Sequence, residues 1–175
     1  MTTGEPLRLV FIGWGAIART AAEVLRDAPV EIVAVAVSDG AVTRPELPAS
    51  ARVITDPAEL AATMPDVVAE AAGRESVEPW GRATLESGTD FIVSSASAFA
   101  DARVLDSLRA VASRTGAHIH VQPGALGGVD ALSAARAMGI DAVEHRIVKP
   151  PAAWRGSPAE SLCALDSLTQ PEEFF

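Results

Sequence analysis

The chain has 175 residues, 49% of them hydrophobic, and a formal net charge of −9. That length and composition fit one α/β domain, with room for a second to begin, and exclude a disordered chain. The acidity argues against nucleic acid and anionic membrane as partners, and the single cysteine, Cys163, excludes an intrachain disulfide and fits a reducing cytoplasm.

The opening MTTGEPLRLVFIG lacks the basic start and cleavage site of a secretory leader, and no apolar run is long enough to span a bilayer, so a cytoplasmic chain is expected. Residues 7–13 form a short apolar run ending at glycine, which predicts a buried parallel strand. Ile17, Ala21, Val24, Leu25 and Ala28 recur at helical spacing, predicting a helix over residues 17–26 that Pro29 stops. Residues 31–39 read as a second buried strand, and residues 40–51, with two prolines, as a surface loop. RVIT is a brief strand. Asp56-Pro57 with Glu59 has the form of a helix start. Strands are expected at Val67–Glu70, in DFIVSS and in AHIHV. Helices are expected over 77–87, closed by Gly88, and after Asp101, closed by Gly116. A glycine loop, PGALGG, precedes a helix over residues 129–138, and residues 142–148 read as a further strand with alternating polar positions. That last segment would begin a partial sheet whose free edge invites self-association.

Alternation of strand and helix through the first 125 residues predicts a doubly wound parallel sheet with right-handed crossovers. Within it, FIGWGAIA (residues 11–18) carries the pattern G-x-G-x-x-A between a strand and a helix. Gly13 would permit the tight turn and Gly15 would let backbone approach a diphosphate. Ala16 and Ile17 would open the helix whose unpaired N–H groups face the anion, and Ala18 would let helix and strand pack closely. The fold class is therefore a Rossmann-type α/β domain, residues 1–125, followed over residues 126–175 by the start of a second, incomplete domain. Asp39, ending the second strand, would bond the adenosine ribose and favour NAD, whereas Ser38 and Arg44 would tolerate the 2′-phosphate of NADP; Asp39 reads equally as a surface acid. Ligands of open α/β sheets bind at the carboxyl ends of the strands, which gathers Glu70-Ala71-Ala72-Gly73, Ser94-Ser95-Ala96 and Gln122-Pro123-Gly124-Ala125 around one crevice. Ala71, Ser95 and Ala125 are the cofactor candidates among them. His118 and His120 would share one face of a strand, with no third ligand by spacing, so no metal site is expected.

Together, GWGAIA, VVAEAAG, FIVSSASAFAD, PGALGGVDALSAAR and VKPPAAWRGSPAE resemble, in order, the NAD(P)-dependent L-aspartate dehydrogenases. The resemblance implies oxidative deamination of L-aspartate to iminoaspartate, which hydrolyses to oxaloacetate and ammonia or feeds NAD biosynthesis. It also implies a homodimer, contact of Ala125 with NAD, and over residues 126–175 the beginning of an incomplete α+β substrate and dimerisation domain. The chain departs from the family pattern at Ser97, where glycine is usual, and at Val148, where arginine is usual. Lys149 remains as a cation suited to a dicarboxylate. The family pattern runs on past Phe175 and there carries its acid/base histidine, so no catalytic residue is expected in this chain and turnover by it should be negligible. Two other readings are a non-catalytic dinucleotide-binding module and a dehydrogenase of another small amino or hydroxy acid. Phe174 and Phe175, at the very end, are expected to have little to pack against.

Overall fold

In the computed structural model, residues 4–39, 47–124 and 126–174 are described. The chain divides into two compact units, Met1–Val129 and Asp130–Phe175. The first contains β1 (Leu7–Ile12), α1 (Ala16–Val24), β2 (Val30–Ala36), β3 (Arg52–Ile54), β4 (Val67–Glu70), α2 (Arg74–Glu86), β5 (Asp90–Val93), α3 (Ala102–Thr115) and β6 (Ile119–Val121). All six strands pair in parallel in the order β3-β2-β1-β4-β5-β6.

Period-2 alternation divides the strands between two cores. Val10, Ile12, Val68, Phe91 and Val93 face α2 and α3, where Val77, Trp80, Leu85, Leu108 and Val111 complete one apolar cluster. Leu9, Phe11, Val35 and Val37 face the other way, against Ala18, Ala21 and Ala22 of α1 and Leu25 at its C-cap. The near-continuous apolar runs noted in the sequence are what a parallel sheet covered on both faces requires.

Several element ends are set by local chemistry. Asp56 accepts from the Ala58 N–H at 2.8 Å and Glu59 from the Asp56 N–H at 3.2 Å, a reciprocal cap that here supports a single 3₁₀ turn, Pro57–Glu59. Asp101 caps α3 by accepting from the Arg103 N–H at 3.0 Å, and it also pairs with the Arg103 guanidinium at 2.6 Å. Those contacts with Arg103, side chain first and then main chain, push the Asp101 carboxyl down from 3.8 to about 2. An acid depressed in the folded state stabilises it above its unfolded value, and that contribution is lost as the pH falls through the folded one. Asp101→Ala is therefore expected to lower the thermal midpoint near neutral pH. The difference from the parent chain should shrink as the pH is taken from 4 to about 2, followed by circular dichroism melts.

The helix expected over 77–87 starts earlier, at Arg74. Its N-cap Gly73 has φ 147° and no side-chain cap, so the usual sequence signal for a helix start is missing. The second strand ends at Ala36 rather than at residue 39.

In the second unit, α4 (Val129–Ala135) runs into a 3₁₀ turn at Arg136–Met138, and α5 (Ala159–Leu162) follows later. The strand expected over residues 142–148 is not formed; these residues carry neither strand nor helix. A strand needs a neighbouring ladder for its N–H and C=O groups, and no described residues of this unit supply one. The partial sheet with a free edge is withdrawn with it. Phe174 is also better placed than expected: its ring meets Trp154 edge to face at 5.3 Å. Phe175 lies outside the described residues.

Candidate functional site

The sheet changes direction of winding between β1 and β4, so the loops that leave their carboxyl ends flank one crevice. The ladder continues one residue into each loop. The Gly13 N–H donates to the Ala36 carbonyl at 2.8 Å, and the Ala71 N–H to the Ile12 carbonyl at 2.8 Å.

The two glycines of the turn have different reasons to be glycine. Gly13 has φ +87°, and a Cβ placed there would stand 2.7 Å from the Cα of Ala72 and 2.9 Å from the Ala71 carbonyl oxygen. The turn therefore packs backbone to backbone against the β4 loop. Gly15 has φ −86° and ψ −166°, extended backbone open to any residue, and a Cβ there would meet nothing within 4 Å. The fold itself does not require Gly15. Its bare backbone leaves free the space before the N-terminus of α1, where no side chain caps the helix.

Ala16 and Ile17 form the first turn of α1 and are exposed, Ile17 by 63%, while Ala18 is fully buried beneath the helix. Unpaired N–H groups, a positive helix end and open space in front of it suit a diphosphate. Trp14, between the glycines, packs edge to face on Phe11 at 6.0 Å. A groove of about 810 Å³ runs along the flank of α1 as far as Pro29 and Val30, and it meets the crevice only at Trp14 and Ala16. The site is thus defined by main-chain geometry rather than by that groove.

Ala71 lies at the crevice, where its N–H continues the ladder, and Ser95 sits just past the end of β5. Asp39 does not end β2; it is exposed and lies three residues beyond Ala36. Arg44 and Ala125 lie outside the described residues. Lys149, in the second unit, places its Nζ 4.8 Å from the centre of the Trp154 ring, a cation–π seat.

The residue that sequence reasoning left without a role is Glu70. It is wholly buried at the end of β4. Its Oε1 accepts from the N–H groups of Ala72 and Gly73, both at 2.8 Å, and from the Ser95 hydroxyl at 2.9 Å. Its Oε2 accepts from the Ser95 N–H at 2.9 Å. The Ser76 hydroxyl, 3.3 Å from Oε1, has a nearer acceptor in the Gly73 carbonyl at 2.6 Å. The signal was present in the alternation: residue 70 shares the face of Val68, which points into the core.

His118 and His120 do share one side of the sheet, and what holds them is Asp90. Its carboxylate lies 3.2 Å from His118 Nδ1 and 3.1 Å from His120 Nε2. Hydrogen bonding, first to the His120 ring and then to the His118 N–H, holds the Asp90 carboxyl below its ordinary range. These contacts tie β5 to the edge strand β6. Among the described residues no group of three or more His, Cys, Asp or Glu is arranged to hold a metal.

Strand order, glycine turn and strand-end crevice together define a dinucleotide-binding domain of the Rossmann type. Residues 13–122 match the family described as homoserine dehydrogenase, NAD binding domain, and the chain belongs to that family. Its resemblance to the L-aspartate dehydrogenases is borne out by curated relatives of that name. The protein from Brucella anthropi is 50% identical over 169 residues, 95% of this chain and 63% of its own length. That from Ralstonia pickettii is 37% identical over 176 residues, 97% of this chain and 65% of its own. The chain thus spans less than two thirds of either. The crystal structure of aspartate dehydrogenase from Thermotoga maritima superposes with a TM-score of 0.55 at 20% identity, covering 82% of this chain and 63% of that one, and so supports the fold. The cofactor of this domain is NAD or NADP. The open cradle at Gly15 fits the diphosphate of either one. No helix among the described residues is long and apolar enough to cross a membrane.

Proposed function

We propose that the chain is the cofactor-binding part of an NAD(P)-dependent L-aspartate dehydrogenase, acting in oxidative deamination of L-aspartate to iminoaspartate. One observation carries the cofactor half of this reading: Gly15 is bare where the fold alone would accept a side chain, at the uncapped N-terminus of α1. The substrate half is supported by the relatives' names and by their 50% and 37% identity.

When bound, the nicotinamide supplies the acceptor for the hydride that leaves the aspartate α-carbon. The residues of this chain bind and orient. Amides at Gly15, Ala16 and Ile17 would take the diphosphate. Ala71 and Ser95, at the ends of β4 and β5, would flank the nicotinamide half, and Asp39 would meet the adenosine ribose, with Ser38 and Arg44 as the alternative that tolerates a 2′-phosphate. Lys149, steadied on Trp154, would offer positive charge to a dicarboxylate. Among the histidines, His118 and His120 are engaged with Asp90. No residue of this chain is proposed for the acid/base role. Iminoaspartate could then hydrolyse to oxaloacetate and ammonia or pass to NAD biosynthesis in the cytoplasm, and the complete enzyme is proposed to be a homodimer.

Calorimetric titration with NADH and an aspartate-dependent assay of NADH formation test this together. Saturable NADH binding with negligible turnover is expected from the 175-residue chain. Robust turnover would overturn the assignment of the acid/base group, and absence of binding would overturn the cofactor reading.

A further inference from the structure

We propose that Glu70 is a positioning residue that fixes the nicotinamide side of the crevice, an inference that rests on the dinucleotide reading above. A wholly buried carboxylate is unusual unless its acceptor sites are filled, and here they are filled by main chain from two separate loops. Oε1 gathers the N–H groups of Ala72 and Gly73 from the β4 loop, and Oε2 takes the Ser95 N–H from the β5 loop. The Ser95 hydroxyl closes the bridge from the β5 side onto Oε1. One side chain therefore sets the relative positions of the β4 and β5 loops.

The sheet order assigns this network to one end of the ligand. The diphosphate falls at the N-terminus of α1, and the adenosine half falls on the β2 side. The β4 and β5 loops lie on the opposite side of β1, which leaves them to the nicotinamide half. Burial keeps Glu70 from touching the ligand itself; it acts through the loops that do. A glutamine of the same length cannot replace it. An amide presents one acceptor oxygen and one NH₂ donor, so either the Ser95 N–H or the Ala72 and Gly73 N–H pair would face a donor.

The test is a pair of titrations, with NADH and with ADP-ribose, which keeps the diphosphate and lacks the nicotinamide. Glu70→Gln should raise the NADH dissociation constant about tenfold, because the β4 and β5 loops lose their common anchor and must be repositioned on binding, and leave that for ADP-ribose within about twofold. A merely structural role would weaken both alike. Should Glu70→Gln fail to fold, Glu70→Asp, which keeps the charge and shortens the reach, decides by the same ratio. Equal loss for the two ligands, or no loss, would overturn the inference while leaving the cofactor site standing. Failure of the parent chain to bind NADH would overturn both.

Discussion

Gly13→Ala is expected to destabilise the chain by about 3 kcal/mol, from two separable causes. An alanine held in the left-handed region costs roughly 1 kcal/mol relative to glycine. The new Cβ would lie 2.7 Å from the Cα and the Cβ of Ala72, and backbone cannot swing aside as the end of a long side chain can. Overpacking of this kind costs about 1–3 kcal/mol. Because the Gly13 N–H and the Ala71 N–H fasten the turn to β2 and β4, the strain has no local outlet. Relief must come by separating the β1 turn from the β4 loop, which also opens the crevice. Urea unfolding should show the loss in stability, and NADH titration a fall in affinity of about tenfold or more.

Gly15→Val should give the opposite pattern. Its φ of −86° and ψ of −166° suit a β-branched residue, and the position has nothing within 4 Å to meet a Cβ. Replacing glycine with valine at a helix N-cap costs about 1 kcal/mol at most, so the variant should fold and unfold almost as the parent does. The isopropyl group, however, occupies the space before the first turn of α1. NADH affinity should fall at least tenfold, equivalent to about 1.4 kcal/mol or more. Unchanged affinity in a folded Gly15→Val chain would mean that the diphosphate lies elsewhere. The two glycines, two residues apart, thus separate folding from binding.

The turn was legible in the sequence because glycine there answers constraints that are local: a positive φ at Gly13, bare backbone at Gly15, a small residue at Ala18 under the helix. Strand order followed from the alternation of apolar runs with helical spacing, since parallel strands need crossovers. What was misread depends on partners distant in sequence. Residues 142–148 have the pattern of a strand, but a pattern does not supply the neighbouring ladder a strand needs. Asp39 is expected at a strand end because residues 32–37 are apolar and nothing marks the stop at Ala36. Glu70 carries its meaning only through Ser95, 25 residues away, and the early start of α2 at Arg74 lacks a capping side chain at Gly73 to announce it. Asp90 explains the two histidines through contacts 28 and 30 residues apart, which no spacing rule would have joined.

In the proposed complex the exposed amides at the head of α1 hold a dinucleotide's diphosphate. Titrating NADH into the isotopically labelled chain and following its backbone amide resonances tests this residue by residue. Saturable shifts are expected, largest at Gly15, Ala16 and Ile17, with smaller ones at Ala71 and Ser95. Saturation with those amides unmoved, or no saturation at all, would contradict it.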